Sequence, residues 1–143
     1  MAQDVPSFEG GTLAQALDDF NSGRYVQAVG VFERLARQGC VSALYYLAIC
    51  ARDNLGGSSI AYSEADVMLF MGEAAAKGAV VAQFFLGCAL YSGSYVAQGA
   101  VHHVEENREL GLSFIRKSAA SDKARQKEGF PPAKAWLREN GFA

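Results

Sequence analysis

The stretch "KGAVVAQFFLGCALYSG" (77–93) is the most apolar part of the chain, with Gln83 the one strongly polar side chain between Ala79 and Leu90. A membrane-crossing helix needs about 20 apolar residues, and this run stops well short of that, so it reads as a buried helix. Its frame decides the fold. Gly78, three residues and then Ala82 form "GAVVA", a spacing that returns as "GCVSA" (39–43) and as "GFPPA" (129–133). Each Gly follows an amphipathic or alanine-rich stretch and suits the left-handed residue just past a helix end, where a side chain costs energy. Each Ala opens a new apolar stretch and is small enough to let that helix approach the previous one. In the third copy Pro131 and Pro132 start the following helix, where a missing backbone donor does no harm.

Around this frame the chain repeats itself. "ALYYLAICARDN" (43–54) matches "AQFFLGCALYSG" (82–93) position for position, and Phe70 in "VMLFMGEAAAKG" matches Phe114 in "GLSFIRKSAAS". The marker glycines are 39 residues apart and then 51. The later copy accommodates its excess as five residues in its internal loop (93–110) and seven after its second helix (120–129), both places where insertions are tolerated. Upstream, "GRYVQAVGVFERLARQG" (23–39) places Tyr25, Ala28, Phe32 and Leu35 at helical spacing behind the helix-breaking Gly23. It pairs with "TLAQALDDFNSG", where Thr12 is suited to cap and Leu13, Ala16, Leu17 and Phe20 share a face. Helices are therefore predicted over 12–22, 24–38, 42–53, 63–77, 81–92, 105–121 and 131–139, with no convincing strand pattern.

A period of roughly 35–40 residues with two helices per unit is the signature of an α-solenoid, in which neighbouring hairpins bury faces that none can bury alone. The expected fold is all-α: a short α-solenoid of stacked antiparallel helix hairpins. Residues 1–11 form an N-terminal tail and 12–143 a single helical-repeat domain, with repeats at about 12–39, 40–78 and 79–129 and a C-terminal capping helix within 130–143.

The segment "AQFFLGCALYSG", a loop, then "NRELGLSFIRKSAAS" resembles the Sel-one-like repeat, a relative of the tetratricopeptide repeat (TPR). The matching positions are Ala82, Leu86, Gly87, Leu90, Gly93, Phe114, Lys117 and Ala119. The preceding copy fits with Ala43, Leu47, Ala48 in the Gly position, Ala51, Phe70, Ala74 and Ala75, while Gly23, Tyr25, Ala28 and Phe32 look like an ordinary tetratricopeptide helix. The resemblance spans about 12–139 and departs in the loops, where the family's Gly-Val and Asp are missing from "NLGGSSIAYSEAD" and "GSYVAQGAVHHVEEN". It implies that the first helices of the hairpins line a concave, partner-holding side. With Leu47, Leu86, Leu90, Ala48 and Gly87 assigned to packing, the partner-binding candidates are Tyr45, Ile49 and Arg52 on one helix and Phe84, Cys88 and Tyr91 on the next. Each trio steps by three or four residues and forms one stripe. Tyr and Arg are frequent interface anchors. Tyr95, in the 93–104 loop, is a further candidate.

Composition sets the bounds on function. Half of the 143 residues are hydrophobic and 20% are charged, which is ordinary for one globular domain. A net charge of −2 without a dense Lys/Arg run gives no pull towards nucleic acid. The start "MAQDVPSFEGG" has neither a basic nor an apolar leader region, which points to the cytoplasm, with a periplasmic or secreted setting as the alternative had a leader been removed. Cys40, Cys50 and Cys88 are odd in number and lack C-x-x-C spacing, so they read as packing residues and not as a disulfide framework or zinc site.

The remaining motifs are weak. "HHVEEN" (102–107) sets His102 and His103 beside Glu105 and Glu106, but adjacent histidines point to different sides of a helix, and the two acids fit the first turn of a helix instead. "NLGGSS" (54–59) lacks the Lys of a phosphate loop, and "SDKARQKEG" (121–129) is a solvated charged tract. No catalytic residue, metal site or cofactor is expected. The reading is a non-catalytic module of adaptor or scaffold type, monomeric when free, binding a protein or peptide on its first-helix stripe. The alternatives are a bacterial immunity-type protein that neutralises a toxin by binding it and, less favoured, a small enzyme using His102 or His103 with Glu105 or Glu106.

Overall fold

A computed structural model describes residues 7–8, 11–55, 62–120 and 129–142. The described elements are β1 (Ser7–Phe8), β2 (Gly11–Thr12), α1 (Leu13–Asn21), α2 (Tyr25–Arg37), α3 (Val41–Asp53), α4 (Glu64–Ala76), α5 (Val80–Ser92), β3 (Ser94–Ala97), β4 (Ala100–His103), α6 (Arg108–Ala119) and α7 (Pro131–Glu139). All seven predicted helices are present. Two small antiparallel additions were not expected: β1 pairs with β2, Ser7 opposite Thr12, and β3 pairs with β4.

The helix punctuation follows local chemistry. Thr12 caps α1 by accepting from the Gln15 amide at 3.1 Å, and Gly23, Gly39 and Gly78 take the left-handed conformation after α1, α2 and α4. Pro131 and Pro132 occupy the first turn of α7. Two expectations need correction. Gly129 is not left-handed; it is buried, and a Cβ there would run into the carbonyls of Ala119 and Ala120 at the end of α6. Glycine is needed for space at this point, not for its φ. Helix α6 starts later than predicted, because Asn107 accepts from the Leu110 amide at 3.0 Å and caps it. Glu105 and Glu106 therefore precede the helix, and Glu109 is the acid in its first turn.

Contacts divide the chain into two compact units, residues 1–70 with 97–99 and residues 71–96 with 100–143. In the first unit α1, α2 and α3 enclose a core of Ala16, Ala28, Phe32, Leu35, Leu47 and Cys50. Phe32 stacks on Tyr46 with centroids 5.3 Å apart, and Phe20 meets Tyr46 edge-on at 5.1 Å. A buried Phe such as Phe32 contributes about 3–5 kcal/mol against truncation to Ala. Tyr62, ahead of α4, donates to the Glu33 carboxylate on α2 at 2.5 Å and meets Phe70 edge-on.

In the second unit α5 and α6 approach at two glycines. A Cβ on Gly87 would lie 2.7 Å from the Gly111 carbonyl oxygen, and one on Gly111 would lie 2.6 Å from the Gly87 carbonyl oxygen. The helices therefore meet backbone to backbone. The fully buried Ser118 of α6 donates to the Val80 carbonyl of α5 at 2.6 Å. Ile115, Ala133 and Leu137 carry the core between α6 and α7, with Phe84 and Cys88 of α5 packed against it. Among the described residues, no helix is long and apolar enough to cross a membrane.

Candidate partner-binding site

Helix α3 buries Ala43, Leu44, Leu47, Ala48, Cys50 and Ala51. The predicted stripe of Tyr45, Ile49 and Arg52 is what remains partly accessible on its flank, and Arg52 keeps 32% of its side chain exposed. Arg52 engages the adjacent Asp53 through two parallel bonds, Nε to Oδ1 at 2.9 Å and a terminal nitrogen to Oδ2 at 3.1 Å. This pairing holds the guanidinium above its ordinary pKa. The Tyr45 ring leans edge-on against Tyr46 at 5.4 Å. Burial raises the Tyr45 phenol above its usual value, and the positive charge of Arg52 offsets part of that rise.

The other trio is in different surroundings. Phe84 meets Phe130 edge-on at 5.7 Å, and Cys88 packs against the same α6–α7 core, where burial pushes its thiol up to about 11. Tyr91 meets Trp136 at 5.0 Å and Phe142 at 6.1 Å. All three remain half-buried, with their inner surfaces taken by α7 and the residues beside it.

The loop after α5 is a hairpin. Its turn is Gln98–Gly99, with φ of 54° and 76°, the two positive values that a two-residue primed turn requires. Tyr95, expected as a contact residue, is only 9% exposed and lies against Phe85 and His102 instead. Gln98 belongs to the first unit and covers the carbonyl end of α3. Its amide donates to Arg52 O at 2.6 Å, and its side-chain nitrogen donates to Ala51 O at 3.1 Å and to Tyr62 O at 2.9 Å. The last carbonyls of a helix have no partner within it, so Gln98 supplies what the helix lacks. A sequence reading missed this residue. The available signal was two four-residue runs, "SYVA" and "AVHH", separated by two residues of which one is Gly.

Two members of the histidine and glutamate constellation are engaged with other residues. His102 lies over Tyr95 at 5.4 Å, and Glu106 accepts from Arg108 at 2.7 Å. Among the described residues, no three His, Cys, Asp or Glu are grouped so as to hold a metal ion. The described cysteines are unbridged, and burial pushes Cys50 up to about 11 as it does Cys88.

Comparison with protein-family models gives no match, and neither does comparison with curated protein sequences. Comparison with solved structures does. The chain is similar to the crystal structure of a Sel1 repeat protein from Oxalobacter formigenes, with a TM-score of 0.58 and 21% identity. The likeness covers 80% of this chain and 28% of the other, so the chain spans less than a third of that protein's length. The fold is that of the Sel1 repeat. Helix pairs of TPR-like type account for the architecture, as the Leu86–Gly87 and Ala-rich positions implied.

Proposed function

We propose that the chain is a non-catalytic interaction module that binds a protein or peptide partner, with the α3 stripe of Tyr45, Ile49 and Arg52 as its contact surface. One observation carries the reading. Three large side chains, a helical turn apart, stay partly accessible on a helix whose other faces are packed, and two of them are the residue types that anchor interfaces best. The short geometry between Arg52 and Asp53 presets the guanidinium, so less rotamer freedom is lost on docking. The Sel1 repeat fold suits such a role, because stacked hairpins present helix flanks instead of enclosing a pocket. Phe84, Cys88 and Tyr91 contribute on the second unit through the surfaces that α7 leaves accessible.

The test is affinity capture from a lysate of the native organism, comparing wild type with a folded Tyr45→Ala, Arg52→Ala variant, followed by binding of the purified candidate. A partner that binds wild type and is lost at least tenfold by the variant is the expected result. A partner held equally by both would overturn the assignment of the face, and a chain that captures nothing would overturn the module.

A further inference from the structure

The near-neutral total charge conceals a division. Beyond residue 107 the chain carries eight Lys and Arg against four Asp and Glu, whereas up to that point it carries five against eleven. On α6, Arg108, Leu112 and Arg116 step by four residues along one face. The Arg108 guanidinium carbon lies 5.2 Å from the centroid of the Tyr91 ring, and that of Arg116 lies 5.8 Å from the centroid of Phe142. Trp136 and Phe142 are parallel to within 1° with centroids 6.0 Å apart, and Tyr91 stands nearly perpendicular to both. The three rings are half-buried, Arg116 is exposed, and Arg108 keeps 69% of its side chain in solvent. Lys117 on α6 and Lys134 and Arg138 on α7 are exposed as well.

We propose that the cluster of Tyr91, Arg108, Arg116, Trp136 and Phe142 binds an acidic peptide segment bearing an aromatic residue, presented by a protein partner. It does not depend on the α3 stripe and would stand if that stripe bound nothing. A guanidinium held over a ring has lost part of its freedom before any ligand arrives, and its terminal N–H groups are donors suited to carboxylates. The rings add contact area that costs little side-chain freedom. A carboxylate already fits here, since Glu106 takes the Nε of Arg108 at 2.7 Å. Cationic ligands are disfavoured, because Arg108 already lies over the Tyr91 ring and Arg116 over the Phe142 ring. A nucleic acid backbone is the poorer occupant: exposed Glu109 and Glu139 interrupt the basic surface, so a continuous phosphate track would meet repulsion that a short acidic segment avoids.

Trp136 is the one tryptophan of the chain, so its emission reports directly on the cluster. The full chain would be titrated with a blocked seven-residue peptide carrying three acidic residues on each side of one phenylalanine, beside a counterpart with lysines in place of the acids. The acidic peptide should change Trp136 emission saturably, bind at least tenfold more weakly to an Arg108→Gln, Arg116→Gln variant, and weaken as salt is raised. Both substitutions are at exposed positions, and far-UV circular dichroism checks that the fold is kept. An Arg37→Gln variant, at an exposed position outside both candidate surfaces, should bind the peptide as wild type does. Unchanged emission at millimolar peptide, equal affinity of the double variant, equal binding of the lysine peptide, or tighter binding of a single-stranded oligonucleotide would each overturn the proposal. So would a salt-sensitive dimer in sedimentation that the double variant abolishes, since the occupant would then be the acidic part of a second copy.

Discussion

Helices α3 and α5 are two printings of one pattern set among different neighbours. Both run thirteen residues, and both end in a left-handed residue, Asn54 with φ 52° and Gly93 with φ 81°. In each, the cap amide returns to the carbonyl four residues earlier. Aligned side chains nevertheless lead different lives. Arg52 pairs with its neighbour Asp53, whereas its counterpart Tyr91 is built into a cluster with Trp136 and Phe142. Ala48 is fully buried, whereas its counterpart Gly87 lies against another backbone. A repeat specifies a helix and its ends. What covers the helix is specified by the sequence that follows it.

The largest expected effect breaks this pairing at its tightest point. Gly87→Leu should cost about 3 kcal/mol or more, because the Gly111 carbonyl and the Ile115 amide are backbone atoms and cannot swing aside. Gly87→Ala is the sharper version. Helix propensity alone would have Ala stabilise by about 1 kcal/mol. The close approach predicts a loss of about 1 kcal/mol or more instead, visible as a lower urea midpoint. The mirror change, Ala48→Gly, should also destabilise by about 1 kcal/mol. If both swaps were neutral, the two copies would be interchangeable and the comparison would fail.

The helices were legible because their signals are local: Gly39 and Gly78 past helix ends, Thr12 and Pro131 at helix starts, and apolar spacing between. The fold followed from the repetition of those signals. Failures came where a residue's role is set at a distance. Gly129 looks like the other marker glycines, yet it makes room for the C-terminal end of α6. The β3–β4 hairpin turns on Gln98, which lacks the Asn-Gly or Asp-Gly signature of such turns. The candidate stripes were legible as positions on a helix face. That Phe130, Trp136 and Phe142 would take the inner side of one stripe was not, since this contact joins residues about 45 to 50 positions apart.

Gln98 gives the next prediction, on the first copy alone. Gln98→Ala removes two hydrogen bonds to the carbonyls of Ala51 and Tyr62 and keeps a positive φ, so it should cost about 1–2 kcal/mol. Gln98→Gly loses the same bonds but relieves the φ, and should cost less than Gln98→Ala. Amide exchange in the last turn of α3 should quicken in both. The reverse order of stability would mean that the side chain contributes little and that the backbone bond to Arg52 O anchors the turn.

Cys50 and Cys88 compare the two copies chemically, each standing where the other copy has a different residue, Ala89 and Ile49. Burial raises both thiols to about 11. A raised folded-state value favours the neutral form, so its contribution to stability is complete below the unfolded thiol range and is lost as pH rises through it towards 11. Stability should therefore decline between about pH 9 and 11, and the decline should be shallower in a Cys50→Ala, Cys88→Ala variant, whose loss of packing lowers stability by the same amount at every pH. Native-state alkylation at pH 8 should modify both residues about a hundredfold more slowly than the unfolded chain. Rapid modification of Cys88 alone would show that α7 leaves α5 readily and that the second stripe is more accessible than its packing indicates.

The smallest effect expected is the most useful for binding. Arg52 and Asp53 are a half-exposed pair of adjacent residues, and such pairs contribute about 0–1 kcal/mol. Arg52→Gln should therefore leave thermal unfolding nearly unchanged while removing the fixed guanidinium from the α3 stripe. The analogous change on the other copy is not available, because Tyr91→Ala would take apart a ring cluster and confound binding with packing. A partner that loses affinity for Arg52→Gln at constant stability would assign recognition to the first copy. A partner that keeps its affinity there and loses it in Arg108→Gln, Arg116→Gln would assign it to the second, where the aromatic cluster is already set in place by α7.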